Sequence, residues 1–199
     1  MSISATDVKV LRDRTGAGMM DCKKALMDTG GNLEEAIDLM RASGAAKAAK
    51  RAGKVVGEGT IGTYLHFDNR VASMVELNCE TDFVANTDDF KGLARDIALH
   101  IASQAPAGVS DDDIPSEMVE RERKVYEEQV KEEGKPEHIA DKIVEGKLRK
   151  FFEENTLLAQ PFVKNPDQTI EDLVTEISAK TGEKIKITRF IRMKVGEAD

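Results

Sequence analysis

Apolar positions in the first forty residues repeat at helical spacing and are interrupted by small or polar breakers. Val8 and Leu11 follow Ser4-x-x-Asp7, which has capping-box spacing with Asp in place of the usual Glu. Thr15-Gly16 interrupts this first helix. A second begins near Gly18, carries Met19, Met20, Ala25 and Leu26 with Lys23 and Lys24 between them, and ends at Gly30-Gly31. Asn32-x-x-Glu35 resembles another cap, and Leu33, Ile37 and Met40 follow at i, i+4 and i+7. Three short helices predict a small bundle, near the lower size limit for independent stability. Residues 44–54 are rich in Ala and Lys and hold almost no large side chain, so they read as a linker with helix-compatible composition.

Beyond the linker the period changes from 3.6 to 2. Ile61, Thr63 and Leu65 share one side of a strand, Asp68-Asn69 supplies a turn, and Val71, Ser73, Val75, Leu77 and Cys79 alternate on the return. Thr87-Asp88-Asp89 opens a helix with Phe90, Leu93, Ala94, Ile97 and Ile101, which Gln104-Ala105-Pro106-Ala107-Gly108 stops. Helices are expected over about 116–133 and 137–154, separated by Gly134-Lys135-Pro136. Leu157–Val163 reads as an apolar extended stretch, followed by a helix from Thr169 to Gly182. In the last strand Ile185, Ile187, Ile191, Met193 and Val195 alternate with basic residues. The fold class is α+β, with about three antiparallel strands. Expected boundaries are 1–43 for the three-helix domain, 44–55 for the linker and 56–199 for an α+β core.

Composition narrows the function. The 199 residues hold 29 Lys plus Arg against 37 Asp plus Glu, a formal charge of −8. That balance disfavours a dedicated nucleic-acid binder, which needs clustered cations for phosphate. Lys47, Lys50, Arg51 and Lys54 locally reverse the sign, but no aromatic residue is interleaved for base stacking. No apolar run approaches the roughly 20 residues of a bilayer span. The first residues lack the basic and apolar regions of a secretory signal, and the expectation is a cytoplasmic protein. Cys22 and Cys79 are far apart, outside any CxxC, and read as small buried hydrophobes.

Catalytic constellations are missing from the sequence. His66, His100 and His138 fall on separate elements, and Thr15–Asp21 lacks the spacing and the preceding strand of a P-loop. Asp111-Asp112-Asp113 is most simply helix N-terminal charge rather than a metal site. The expectation is no enzyme, no metal and no cofactor. One segment stands out. Glu80-Thr81-Asp82-Phe83-Val84-Ala85-Asn86 lies between a strand and a helix and sets two apolar residues among acids. Phe83 either staples the strand to its helix or forms an apolar wedge for another protein's surface.

Leu11-Arg12-x-Arg14-Thr15-Gly16-Ala17-Gly18-Met19-Met20-Asp21-Cys22-Lys23-Lys24-Ala25-Leu26 closely resembles the N-terminal signature of the translation elongation factor EF-Ts family. Glu76-x-Asn78-Cys79-x-Thr81-Asp82-Phe83-Val84-Ala85 resembles its second signature. Gly134-Lys135-Pro136, Val144-Glu145-Gly146, Gln160-Pro161-Phe162-Val163, and Phe190-Ile191-Arg192 through Val195-Gly196 extend the match from about Val8 to Gly196. The resemblance implies a guanine-nucleotide exchange factor for EF-Tu, engaging its GDP-bound and nucleotide-free forms during polypeptide elongation. It implies that the helical domain is of the ubiquitin-associated type and docks on the GTPase, with Met19, Met20 and Lys23 as candidate contacts. It also implies that Thr81, Asp82, Phe83 and Val84 intrude near the switch region and dislodge the partner's Mg²⁺. Long family members carry two related core modules, and this chain carries one. A non-covalent homodimer is therefore expected, with neither nucleic acid nor membrane as a direct partner. The rival expectation is an adaptor that binds without promoting exchange.

Overall fold

The computed structural model describes residues 3–15, 17–51, 53–134 and 136–197, with side chains omitted at 45, 47–49, 137 and 138. Gly16 of the first signature and Lys135 of Gly134-Lys135-Pro136 lie outside the described residues, as do the side chains of Lys47 and His138. Two compact units are distinguished. The first is Met1–Gly62 with Glu76–Asp96 and Asp172–Thr188, and the second is Thr63–Val75 with Ile97–Glu171 and Arg189–Asp199.

In the first unit, α1 (Ala5–Thr15), α2 (Met19–Asp28) and α3 (Leu33–Lys50) form the expected bundle. Its caps are reciprocal. Ser4 Oγ accepts from the Asp7 amide at 3.1 Å while Asp7 Oδ2 accepts from the Ser4 amide at 3.2 Å, so the Asp-containing box works as the Glu form does. Asn32 Oδ1 accepts from the amides of Glu34 and Glu35 and starts α3. Gly30 and Gly31, with φ of 63° and 91°, end α2 in a conformation that L side chains rarely adopt. Val8, Leu11, Cys22, Ala25, Leu26 and Ala36 are buried together, flanked by Leu33, Ile37 and Met40.

The expected linker is helical as far as Lys50, because Ala and Lys are strong helix formers and nothing before Lys50 breaks the ladder. This extension of α3 packs on α8 (Ile170–Thr181). A Cβ at buried Gly44 would sit 3.8 Å from Ala179 and Thr175, and Arg41 pairs with Asp172 at 3.3 Å.

The sheet has the order β1 (Glu58–Leu65), β2 (Val71–Cys79), β5 (Lys186–Lys194). Asn69, at φ 58°, makes the hairpin turn, and the His66 amide donates to the Val71 carbonyl at 2.9 Å. After β2 come the one-turn α4 (Asp82–Ala85) and then α5 (Asp88–Gln104). Small residues four apart on α5 meet the strands. A Cβ on Gly62 would lie 2.2 Å from the Ala94 carbonyl, so β1 comes this close only through glycine. Ser73 Oγ donates to the Ala98 carbonyl at 2.5 Å, and Arg192 Nε to that of Ala102 at 3.1 Å.

The inner face of β5 departs from the expected alternation. Ile185 and Ile187 are buried, but Ile191, Met193 and Val195 are exposed, and the partly buried positions further along are Phe190 and Arg192. Parity changes near Thr188-Arg189, and a one-residue slip moves every later side chain to the other face. In β1, likewise, the side carrying Ile61 and Leu65 is the exposed one, because inward-facing Gly62 is held against α5.

In the second unit, α6 (Ser116–Glu132) and α7 (Glu137–Asn155) pack through Val130, Val144 and Leu148. The Asp111–Asp113 run forms a short 3-10 turn capped reciprocally by Ser110 and Asp113, with Asp111 accepting from Thr156 Oγ1 at 2.6 Å. The stretch expected to be extended from Leu157 is a turn that becomes strand only at β3 (Pro161–Phe162), paired antiparallel with β4 (Asn165–Thr169). Its sequence is explained by His100, which is fully buried in α5. The Val163 amide can only donate, and it meets His100 Nδ1 at 3.2 Å. The ring proton therefore sits on Nε2 and is donated to Gln160 Oε1 at 2.9 Å. Gln160 Nε2 in turn donates to the Glu154 carbonyl at 2.6 Å, which fixes the orientation of its amide.

Candidate functional site

The segment that holds Thr81–Val84, expected as loop, contains the single helical turn α4 at Asp82–Ala85. Thr81 is extended and caps it, its Oγ1 accepting from the Val84 amide at 3.4 Å. Asn86 closes the turn, its side-chain amide donating to the Asp82 carbonyl at 2.9 Å. Thr87 Oγ1 donates to the Val84 carbonyl at 2.8 Å and accepts from the Phe90 amide at 3.3 Å, joining α4 to the start of α5. Cys79 on one flank and Ala85 within the turn are buried. The segment is therefore anchored at both ends.

The four candidate residues divide by direction. Thr81 and Val84 are half-buried and hold the turn, whereas Asp82 is exposed and Phe83 is 82% exposed. Phe83 does not staple the strand to its helix. An aromatic ring standing in water beside a carboxylate, on a backbone held this tightly, is available to another surface.

Charge concentrates behind the turn. Glu80 accepts from Lys54 Nζ at 2.8 Å and from the Lys184 amide at 2.8 Å. These two donors, Lys54 first, hold its carboxyl below the usual carboxylate range. Burial, followed by the negative charge of Glu183, pushes the Cys79 thiol up, and Cys79 Sγ donates to the Thr81 carbonyl at 3.2 Å. A thiol kept protonated and covered is a packing group. Cys22 is buried as well, so both cysteines occupy interior positions.

The second candidate group lies on α2, separate from α4. Cys22, Ala25 and Leu26 face the bundle core, which leaves Met19 (51% exposed), Met20 (75% exposed) and Lys23 outward. Both methionines are surface residues. Met27, also exposed, extends the stripe Met20-Lys23-Met27 at i, i+3 and i+7. Met27 is not among the contacts that the resemblance implies, although its helical spacing from Met20 and Lys23 puts it on their side of α2. No group of three or more His, Cys, Asp or Glu suited to a metal occurs among the described residues. No described helix is long and apolar enough to cross a membrane.

These two groups lie within the two stretches that carry the resemblance in the sequence. The family model described as Elongation factor TS matches residues 4–197. Elongation factor Ts of Thermosipho melanesiensis is 52% identical over 195 residues, covering 98% of this chain and 100% of that protein. The Desulfosudis oleivorans protein of the same name is 54% identical over 196 residues, covering 98% and 99%. That of Carboxydothermus hydrogenoformans is 52% identical over 195 residues, covering 98% and 90%. With nearly the whole length matched by the family model and by full-length relatives, the chain belongs to the elongation factor Ts family.

Proposed function

We propose that this chain is a guanine-nucleotide exchange factor for the translational GTPase EF-Tu and acts through α4. Membership of the family supplies the partner and the step, polypeptide elongation. The observation that supports α4 as the working element is Phe83, 82% exposed on a turn pinned at both ends.

A factor that binds the nucleotide-free GTPase more tightly than the GDP form must weaken GDP by the same ratio. Phe83, inserted into the partner, supplies contact area realised only in the complex, and Asp82 brings negative charge toward the phosphates. The partner's Mg²⁺ neutralises those phosphates, so displacing it removes a large local attraction for GDP. Thr81 and Val84 contribute by holding the backbone that carries Asp82 and Phe83. No covalent bond changes, and the factor needs no nucleotide site of its own.

Residues 1–43 are proposed as the docking unit, of the ubiquitin-associated type, with Met19, Met20 and Lys23 at the contact and Met27 extending it. A non-covalent homodimer is proposed to supply the second core module. Leu65, Met74, Ile191 and Met193 are exposed large apolar residues on the three neighbouring strands, which suits this face to a second copy. The experiment is stopped-flow release of fluorescent GDP from EF-Tu. Acceleration is expected, and its absence at saturating chain returns the protein to the class of adaptors.

A further inference from the structure

Glu183 lies 102 residues beyond Thr81 and belongs to neither signature, yet its carboxylate meets the base of α4 three times. Oε2 accepts from the amides of Glu80 and Thr81, each at 3.1 Å, and Oε1 accepts from the Thr81 hydroxyl at 2.6 Å. A hydroxyl has one proton. By taking it, Glu183 leaves Thr81 Oγ1 only its lone pairs for the Val84 amide, which is the polarity an N-cap requires. The carboxylate thus draws the hydroxyl proton away from the Val84 amide, orients the capping oxygen toward it, and satisfies the two amides that follow β2.

Glu183 is itself held. Gly182 at φ 78° turns the chain out of α8, and the Ser178 hydroxyl donates to the Glu183 carbonyl at 2.6 Å. The next residue, Lys184, donates its amide to Glu80 at 2.8 Å, so two successive residues after α8 grip two successive residues after β2. Phe83 stands two residues past this grip and is 82% exposed, so little packing of its own holds it. The direction in which it points is therefore inherited from the clamp.

We propose that Glu183 is a positioning residue for nucleotide exchange, acting through Thr81 to hold α4 and aim Phe83. This rests on the exchange reading given above. Positioning affects a step after encounter, so it separates from docking in the way kcat separates from KM. Labelled-GDP release from EF-Tu is measured against factor concentration for the wild type, Glu183→Gln, Thr81→Val and the double variant. Amide hydrogen exchange is followed over residues 80–87 in the same proteins.

Glu183→Gln keeps the shape but loses the charge-assisted bonds, and maximal release is expected to fall about tenfold. The half-saturating concentration should stay within about twofold, because α2 is untouched. Exchange of the α4 amides should quicken while those of β2 keep their protection. The double variant should be no slower than either single one, since both break the same link. Thr81→Val probes that link from the other side should Glu183→Gln fold poorly. An active wild type with unchanged maximal release in Glu183→Gln, or with additive losses in the double variant, overturns the proposal. A wild-type chain that leaves GDP release at its spontaneous rate overturns the exchange reading itself and this role with it.

Discussion

Phe83 and His100 show how differently single side chains are constrained in one small protein. Phe83 touches little of its own chain, so Phe83→Ala should change stability by no more than about 0.5 kcal/mol in urea unfolding. Burying a phenylalanine in a partner is worth about 1.5–3 kcal/mol, so exchange should slow roughly ten- to a hundredfold in the same variant. A larger loss of stability than of exchange would make Phe83 a packing residue. His100 is the reverse case. Burial holds its pKa below the ordinary 6.5, and protonating Nδ1 would turn a donor against the Val163 amide. As pH falls below 6.5 the unfolded chain takes up this proton first. Stability should therefore be flat in this group above 6.5 and decline below it until the folded-state pKa is reached, by at most about 1.4 kcal/mol per pH unit. Urea unfolding between pH 7.5 and 5.5 checks this, and His100→Gln should lose that part of the slope. The sequence shows His100 only as an isolated histidine. Its partners Gln160 and Val163 stand 60 and 63 residues away, beyond the reach of any local pattern.

Individual elements were legible wherever one local rule decided them. The caps at Ser4 and Asn32, the glycine stop after α2 and the start of α5 at Thr87 all involve neighbours within four residues. The proposed docking role of α2 belongs to this scale, because the helix splits cleanly between a core side and an exposed stripe. Replacing Met20 with Asp should leave the bundle folded, since the side chain is outside the Leu11–Leu26 core. It should raise the factor concentration needed for half-maximal GDP release by about tenfold or more, with the maximal rate preserved, because a charge put into an apolar contact is costly there and nowhere else. A lowered maximal rate at unchanged half-saturation would show that α2 takes part in exchange rather than docking. Elements misread from sequence were those whose environment lay elsewhere in the chain. α4 read as loop because the support for its capping threonine comes from distant Glu183, and residues 44–54 read as a helix-compatible linker because the packing of that stretch on α8 is invisible to local composition.

At the scale of the molecule the open question is what covers the outer face of the three strands. Met193 is 70% exposed, and Leu65, Met74 and Ile191 are exposed with it. Sedimentation equilibrium in reductant should give twice the chain mass of 21.9 kDa. Met193→Asp should shift it to the single mass without unfolding either unit, since the side chain is mostly exposed. A wild-type chain that stays at the single mass at micromolar concentration and still drives exchange would sink the dimer. Reductant should not matter, because Cys22 and Cys79 are both buried.

The sequence by itself determined the helical bundle, the hairpin and the α+β class, because periodicity, capping and turn chemistry act over a few residues. It also marked Thr81–Val84 as unusual, since apolar residues among acids at a strand end are a local anomaly. Only the tertiary structure decided which way those residues face. The outward ring of Phe83, the inward hydroxyl of Thr81, the shift of parity within β5 and the exposed side of β1 each depend on contacts far along the chain. Glu183 fixes the first two, and Arg192 and Gly62 meeting α5 bear on the others. Alternation alone states that two faces differ. Which face is covered depends on the packing partner, and a one-residue slip reverses the answer.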